Sequence, residues 1–213
     1  MSNYKTLHKE LTKILAPIAD RKGEVMYSPA EALRPNDVYL LGFNPGQGGP
    51  ETSIQEHLTY SLKRTDNAWL DERWGKNPGE SSPLQDRMWK LFEALGLDLR
   101  TTPASNLIFR TSPDMTGVDY HILSKLCWPA HELILSIVKP SKIIVFGNGE
   151  DKSPYAFIRD RYECVENPPQ KFYGSFSFKR LSTIIDGRLT TVLGIPHPSR
   201  CKPKSETYEW LKR

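Results

Sequence analysis

The sequence predicts an α/β fold: three layers (α/β/α) around a central, mostly parallel four-stranded sheet, with a C-terminal β-hairpin, in one domain spanning residues 1–213. Three observations carry this reading. Short apolar runs recur at Val38-Tyr39-Leu40-Leu41, Asn106-Leu107-Ile108-Phe109, Lys142–Phe146 and Thr191–Ile195, as expected for strands buried on both faces. Segments with helical apolar spacing lie between them, as parallel crossovers require. Asp186-Gly187 joins two long β-type runs, Phe176–Ile185 and Arg188–Ile195, and Asp-Gly suits a type I′ hairpin turn.

The elements follow in order. Leu7, Leu11, Ile14, Leu15 and Ile18 recur at helical spacing, which predicts an amphipathic helix from Asn3 to Asp20. Val38 to Leu41 is the first buried strand. Ser53 to about Lys63 reads as helix, and the polar, Asn/Gly/Pro-rich stretch from Trp69 to Ser82 reads as loop. Ser82-Pro83-Leu84-Gln85 is a helix start: Ser caps, Pro fits the first turn and Gln85 completes a capping box. Leu84, Met88, Leu91, Phe92 and Leu95 then share one face, and Gly96 marks the stop. Asn106 to Phe109 is the second strand, with Asn106 near its start. Asp119 to Leu126 reads as one helix, and Pro129 as the start of another ending at Val138. Lys142–Phe146 is the third strand, ended by Gly147-Asn148-Gly149. Ser153-Pro154 opens a short helix, and Ser205 to Lys212 closes the chain as another.

Composition excludes several classes. The chain has 213 residues, 38% of them apolar, enough for a sizeable core. Three cysteines, Cys127, Cys164 and Cys201, form no CxxC pair, so neither zinc nor an iron–sulfur cluster is indicated. Gly46-Gln47-Gly48-Gly49 lacks the spacing of a dinucleotide fingerprint and the Lys-Ser/Thr of a phosphate loop. His131-Glu132 has no second His to complete a metal pair, and no Gly-x-Ser-x-Gly elbow occurs. No signal-peptide pattern and no membrane-length apolar run is present; a reducing cytoplasm is the expected setting. The net charge is +4, and Arg200, Lys202, Lys204, Lys212 and Arg213 cluster at the end. A basic surface there suits a polyanion, although a solvated helix accounts for it equally.

Two loops carry the candidate chemistry. Gly42-Phe43-Asn44-Pro45-Gly46-Gln47 and Pro196-His197-Pro198-Ser199 each leave the end of a predicted strand. Open α/β sheets bind ligands at the carboxyl ends of their strands. A lone loop Asn is ordinarily a turn-former, but Pro45 stiffens this one and Gly46 bares a backbone N–H. Such a carboxamide can hold a water on one side while the backbone donors receive an anionic leaving group. Prolines on both sides restrict His197.

These motifs resemble the uracil-DNA glycosylase superfamily. Gly42-Phe43-Asn44-Pro45-Gly46 is similar to the Gly-x-Asn-Pro-Gly loop of the mismatch-specific and single-strand-selective branches, and His197-Pro198-Ser199 to the superfamily's His-Pro-Ser loop. Ser105-Asn106-Leu107-Ile108 resembles the strand whose Asn reads an extruded base. Cys127-Trp128-Pro129 through Gly147 resembles a helix–strand segment of that family. The likeness spans about Val38 to Pro203. It implies a cofactor-free, metal-free DNA glycosylase acting on uracil or a C5-modified pyrimidine in single- or double-stranded DNA. Asn44 would orient the attacking water, and His197 would stabilise charge on base O2. Phe43 would stack on the base, Gly46 and Gln47 would bind a base carbonyl, and Asn106 would read the Watson–Crick edge. Ser112, Ser199, Arg200 and Lys202 would meet the DNA. Ser82-Pro83 resembles a backbone-pinching loop of the family too, but a helix cap explains it better.

Three departures matter. Asn44 stands where the strictly uracil-specific branch has Asp, and Gly46 where that branch has a Tyr that excludes C5 groups. The four cluster-binding cysteines of the thermophile-type branch are missing. An Asn offers one donor and one acceptor face, so Asn106 matches uracil in one orientation and cytosine in the other. Three alternatives stay open: a defence enzyme removing hypermodified cytosine from phage DNA, a non-catalytic nucleic-acid-binding relative, and an enzyme acting on free nucleosides.

Overall fold

The structure is a computed structural model that describes residues 2–46, 51–113, 119–202 and 205–212. Its centre is a sheet in the order β2-β1-β3-β7-β6-β4, with β5 also paired to β6. Four strands run parallel: β1 (Val38–Gly42), β2 (Ala104–Asn106), β3 (Lys142–Phe146) and β7 (Arg188–Ile195). The antiparallel extension is β6 (Phe176–Ile185), edged by β4 (Cys164–Glu166) and β5 (Lys171–Tyr173). Every residue of β1 is buried, as a strand covered on both faces must be.

Helices cover the two faces. One face of the sheet turns Tyr39, Leu41, Ile143, Val145 and Val192 toward α1 (Ser2–Leu15), α2 (Ile54–Ser61), α5 (Tyr120–Val138) and α6 (Pro154–Arg161). The other turns Leu40, Ile144, Phe146 and Leu193 toward α3 (Ala68–Asp71), α4 (Pro83–Leu95) and α7 (Ser205–Lys212). The alternation along each strand therefore sorts residues between two cores, and the expected three-layer α/β/α architecture with its C-terminal hairpin is the one observed.

Local signals set several boundaries. Ser82 accepts from the Gln85 N–H while the Gln85 side chain reaches back to the Ser82 N–H, and Gly96 ends α4 at φ 69°. Asp186 and Gly187 both take positive φ, 50° and 71°, as a type I′ turn requires. α1 stops at Leu15, because Pro17 follows and the chain continues as a 3₁₀ turn, Ala16–Ile18.

Four expectations need correction. The second strand is Ala104–Asn106, not Asn106–Phe109, so Asn106 ends its strand instead of starting it. Leu107, Ile108 and Phe109 are fully buried, and Leu107 and Ile108 donate to the Gly42 and Phe43 carbonyls at 2.8 and 2.9 Å. Their apolar character reflects burial beneath α5, which strand and coil satisfy equally. Pro129 does not start a helix; it lies inside the continuous α5. It sits on the exposed side of that helix, where water can serve the Lys125 carbonyl that loses its partner, while Cys127, Trp128, Ala130 and His131 bury the other side. The Trp69–Ser82 stretch contains most of α3, capped by Asn67, and β4 and β5 had no sequence signal.

Replacing Ser82 by Ala removes the capping box; the expected cost is about 1 kcal/mol, read as a lower urea midpoint with unchanged slope. An unchanged midpoint would mean that the cap contributes nothing.

Candidate active site

The four parallel strands end in line. Gly42 pairs with Asn106, Leu41 with Val145, and Phe146 with Ile195. The Asn44 and His197 loops leave from two of these ends. A Cβ on Gly42 would fall 2.0 Å from Asn106 Oδ1 and 2.4 Å from Phe146 Cζ. The Phe146 ring meets His197 edge-on, with centroids 5.6 Å apart and planes at 70°. Asn106, Gly42, Phe146 and His197 thus form a continuous row across β2, β1, β3 and β7.

The Asn44 loop rises from the middle of that row. Asn44 is half-buried and its Nδ2 donates to the Pro45 carbonyl at 2.9 Å. The same carbonyl receives the Ser112 N–H at 3.1 Å. The loop is therefore tied to the segment after β2, and the bond orients the Asn44 amide with Oδ1 as its acceptor end. Gly46 is exposed, and among the described residues a Cβ there would meet nothing within 4 Å. Gln47 lies outside the described residues. Phe43 is only 9% exposed and stacks on Tyr120, with centroids 6.0 Å apart and planes at 4°; that face of its ring is occupied.

The His197 loop fixes one tautomer. The Ser199 hydroxyl lies 2.7 Å from Nδ1 and the Ser199 N–H 3.3 Å from it. The N–H can only donate, so Nδ1 keeps its lone pair and the ring proton sits on Nε2. Burial, then the charge of Arg200, lower the His197 pKa from its ordinary value. The ring is a neutral Nε2–H donor at neutral pH. The His197 carbonyl accepts the Arg200 and Cys201 N–H groups at 2.9 and 3.3 Å, closing a turn. Arg87 of α4 clamps the loop from outside, donating Nη1 to the Pro198 carbonyl at 2.7 Å.

Of the residues expected to meet DNA, Ser199, Arg200 and Lys202 are exposed, whereas Ser112 is 4% exposed and its N–H holds Pro45. Ser112 belongs to the support of the site. The hydroxyl and N–H of Ser199 both turn to His197.

Sequence reasoning missed the wall beyond Asn106. Asn106 is 6% exposed, and its Nδ2 donates to the Tyr27 hydroxyl at 2.9 Å. Glu24, on the same segment, acts electrostatically on Tyr27. Both are buried. Burial, then the nearby Glu72 charge, push the Glu24 carboxyl up to about 7, and burial, then Glu24, push the Tyr27 phenol well above its usual range. Trp69 and Trp74 pack on Tyr27 at 6.4 and 6.1 Å between centroids, and Trp69 meets Phe146 at 5.6 Å. An aromatic wall therefore runs from Tyr27 to His197. The only sequence signal for it was a Glu set against the apolar Val25-Met26-Tyr27.

A scan against protein-family models gives no match, and comparison with curated proteins gives no significant one. The resemblance rests on the motif residues themselves.

Two measurements check this geometry. The His197 ring should titrate below pH 6.5, with the neutral form protonated on Nε2 by ¹⁵N NMR; a midpoint above 6.5 or an Nδ1 proton contradicts the assignment. Gly42→Ala should cost about 1–3 kcal/mol, since the added methyl must displace Asn106 or Phe146, read as a lower denaturation midpoint.

Proposed function

We propose that this protein is a monofunctional DNA glycosylase that hydrolyses the N-glycosidic bond of uracil or a C5-modified pyrimidine turned out of the DNA, leaving an abasic site. One observation carries the reading: a buried carboxamide at the end of β2 and a neutral Nε2–H imidazole just past the end of β7 stand at the same rim of the parallel sheet, on either side of the Asn44 loop that leaves β1. The base enters this rim because an enzyme cannot reach C1′ of a stacked nucleotide.

The chemistry needs little from the protein beyond charge stabilisation and position. As the C1′–N1 bond breaks, its electron pair moves into the base and spreads onto O2. His197 donates its Nε2 hydrogen to that oxygen and is not itself a charged acid. A neutral donor matches an anion that grows during the step, so its interaction strengthens toward the transition state. Asn44 Oδ1 accepts one hydrogen of a water, turning the water's lone pair toward C1′. The water oxygen bonds to C1′, its excess proton passes to solvent, and the base anion is protonated on release. Asn44 is a weaker activator than a carboxylate, so the step relies mainly on departure of the base.

The remaining parts agree with this role. Gly46 itself brings no side chain, and no other described residue comes within 4 Å of a Cβ there, which suits a group on pyrimidine C5. Arg200 and Lys202 offer exposed positive charge beside the His197 loop, suited to phosphates. A water-borne reaction of this kind leaves no role for a lysine nucleophile, so strand cleavage should require added alkali.

The test is an oligonucleotide panel carrying uracil, 5-hydroxymethyluracil, thymine and modified cytosines, single- and double-stranded, treated with protein and then alkali. Cleavage at a uracil-type base is expected. Asn44→Ala and His197→Ala should each lower the rate about a hundred- to a thousandfold while staying folded. Intact strands across the panel would sink the reading.

A further inference from the structure

We propose that Arg87 is a positioning residue that selects the His197 tautomer, acting through the single peptide unit between Pro198 and Ser199. The inference deepens the glycosylase reading and takes the role of His197 from it.

The relay follows from peptide geometry. Arg87 Nη1 donates to the Pro198 carbonyl at 2.7 Å. That carbonyl and the Ser199 N–H belong to one planar trans peptide, and a trans peptide points its C=O and N–H in opposite directions. With the oxygen drawn outward to α4, the N–H is turned back into the loop, where it meets His197 Nδ1 at 3.3 Å. An N–H held there can only donate, so Nδ1 keeps its lone pair and the ring proton stays on Nε2. A cation on the carbonyl also polarises the peptide and strengthens its N–H as a donor.

The Ser199 hydroxyl, 2.7 Å from Nδ1, does not make this choice. A hydroxyl donates or accepts as its partner requires, so on its own it allows both tautomers. With Nδ1 protonated, Nε2 would turn a lone pair toward base O2, where the reaction needs a donor. Among the described residues, Arg87 is the only hydrogen-bond donor to the Pro198 carbonyl.

The guanidinium is set on a rigid support. Ser82 and Gln85 cap the first turn of α4, and Gln85 Nε2 donates to the Ala68 and Glu72 carbonyls at 3.2 and 3.0 Å. Met88, Leu91 and Phe92 bury the turns that follow. Behind the loop, Arg87 lines a small cavity with Leu91, Phe178, Pro196, Cys201 and Tyr208. That lining holds no carboxylate, so no anion within it competes with the carbonyl for the guanidinium.

Two measurements test the relay in the full chain. The first needs no substrate: with the ring neutral, ¹⁵N NMR of wild type should show Nε2 of His197 protonated and Nδ1 bare. Arg87→Ala should move the two nitrogen signals toward each other as the Nδ1–H form enters. Added guanidinium ion, seated in the space the side chain leaves, should move them back. Leu91→Ala enlarges the same cavity but keeps the hydrogen bond, and should leave both signals in place. The second is steady-state base release from the oligonucleotides. Arg87→Ala should lower kcat about ten- to a hundredfold with KM unchanged, the range for an outer partner that fixes a histidine. Arg87→Lys, which keeps a cationic donor, should fall between that variant and wild type. If Arg87→Ala does not fold, Arg87→Met keeps the stem, removes the donor and gives the same readings. Unmoved nitrogen signals in the folded variant, equal movement in Leu91→Ala, or a loss confined to KM overturns the proposal. A protein inert on every base defeats the glycosylase reading alone, because the nitrogen signals still decide the relay.

Discussion

The arrangement depends on a missing side chain. Gly42 ends the central strand β1, and without a Cβ it lets Asn106 from one neighbouring strand and Phe146 from the other close over it. Parallel pairing brings the strand ends level, since the register matches Gly42 to Asn106 and Phe146 to Ile195. Close approach at Gly42 turns four level ends into one surface. Any side chain there would push the Asn106 amide away from the Phe146 ring that packs on His197.

Around that surface, most polar groups fix one another. The Pro45 carbonyl gathers both the Asn44 amide and the Ser112 N–H. Ser199 turns its donors onto His197, and Arg87 holds the loop from α4. Preorganisation of this sort lowers the reorganisation needed when charge develops. Trp69 Nε1 is different: it is buried with no hydrogen-bond partner among the described residues. A buried donor left unmatched costs stability, and this one lies in the aromatic wall beside the site.

Burial sets opposite protonation behaviour in neighbouring groups. His197 and His57 are held neutral, the latter lowered to about 4 by burial and then by Arg64. Glu24 is raised to about 7. A raised carboxyl favours the protonated fold, so the stability that Glu24 contributes is greatest below its ordinary value of 4.5 and is lost as pH rises toward 7. Keeping an acid there at the expense of stability is typical of groups retained for position or chemistry.

Local chemistry alone determined the hairpin at Asp186-Gly187, the capping box at Ser82 and the buried strands β1, β3 and β7. Each depends on neighbours within a few residues: positive φ at a turn, a side chain reaching a nearby N–H, an unbroken apolar run. The same holds for Asn44 and His197, which short rigid motifs mark. Only the tertiary structure decided where β2 ends, because Leu107, Ile108 and Phe109 are apolar to fill a core and not to form a ladder. Only it decided that α5 runs through Pro129, on a side where water serves the orphaned carbonyl. The Tyr27 partner of Asn106 was likewise invisible: it lies 79 residues away along the chain, and no local pattern encodes a hydrogen bond made by packing one strand's edge against another segment.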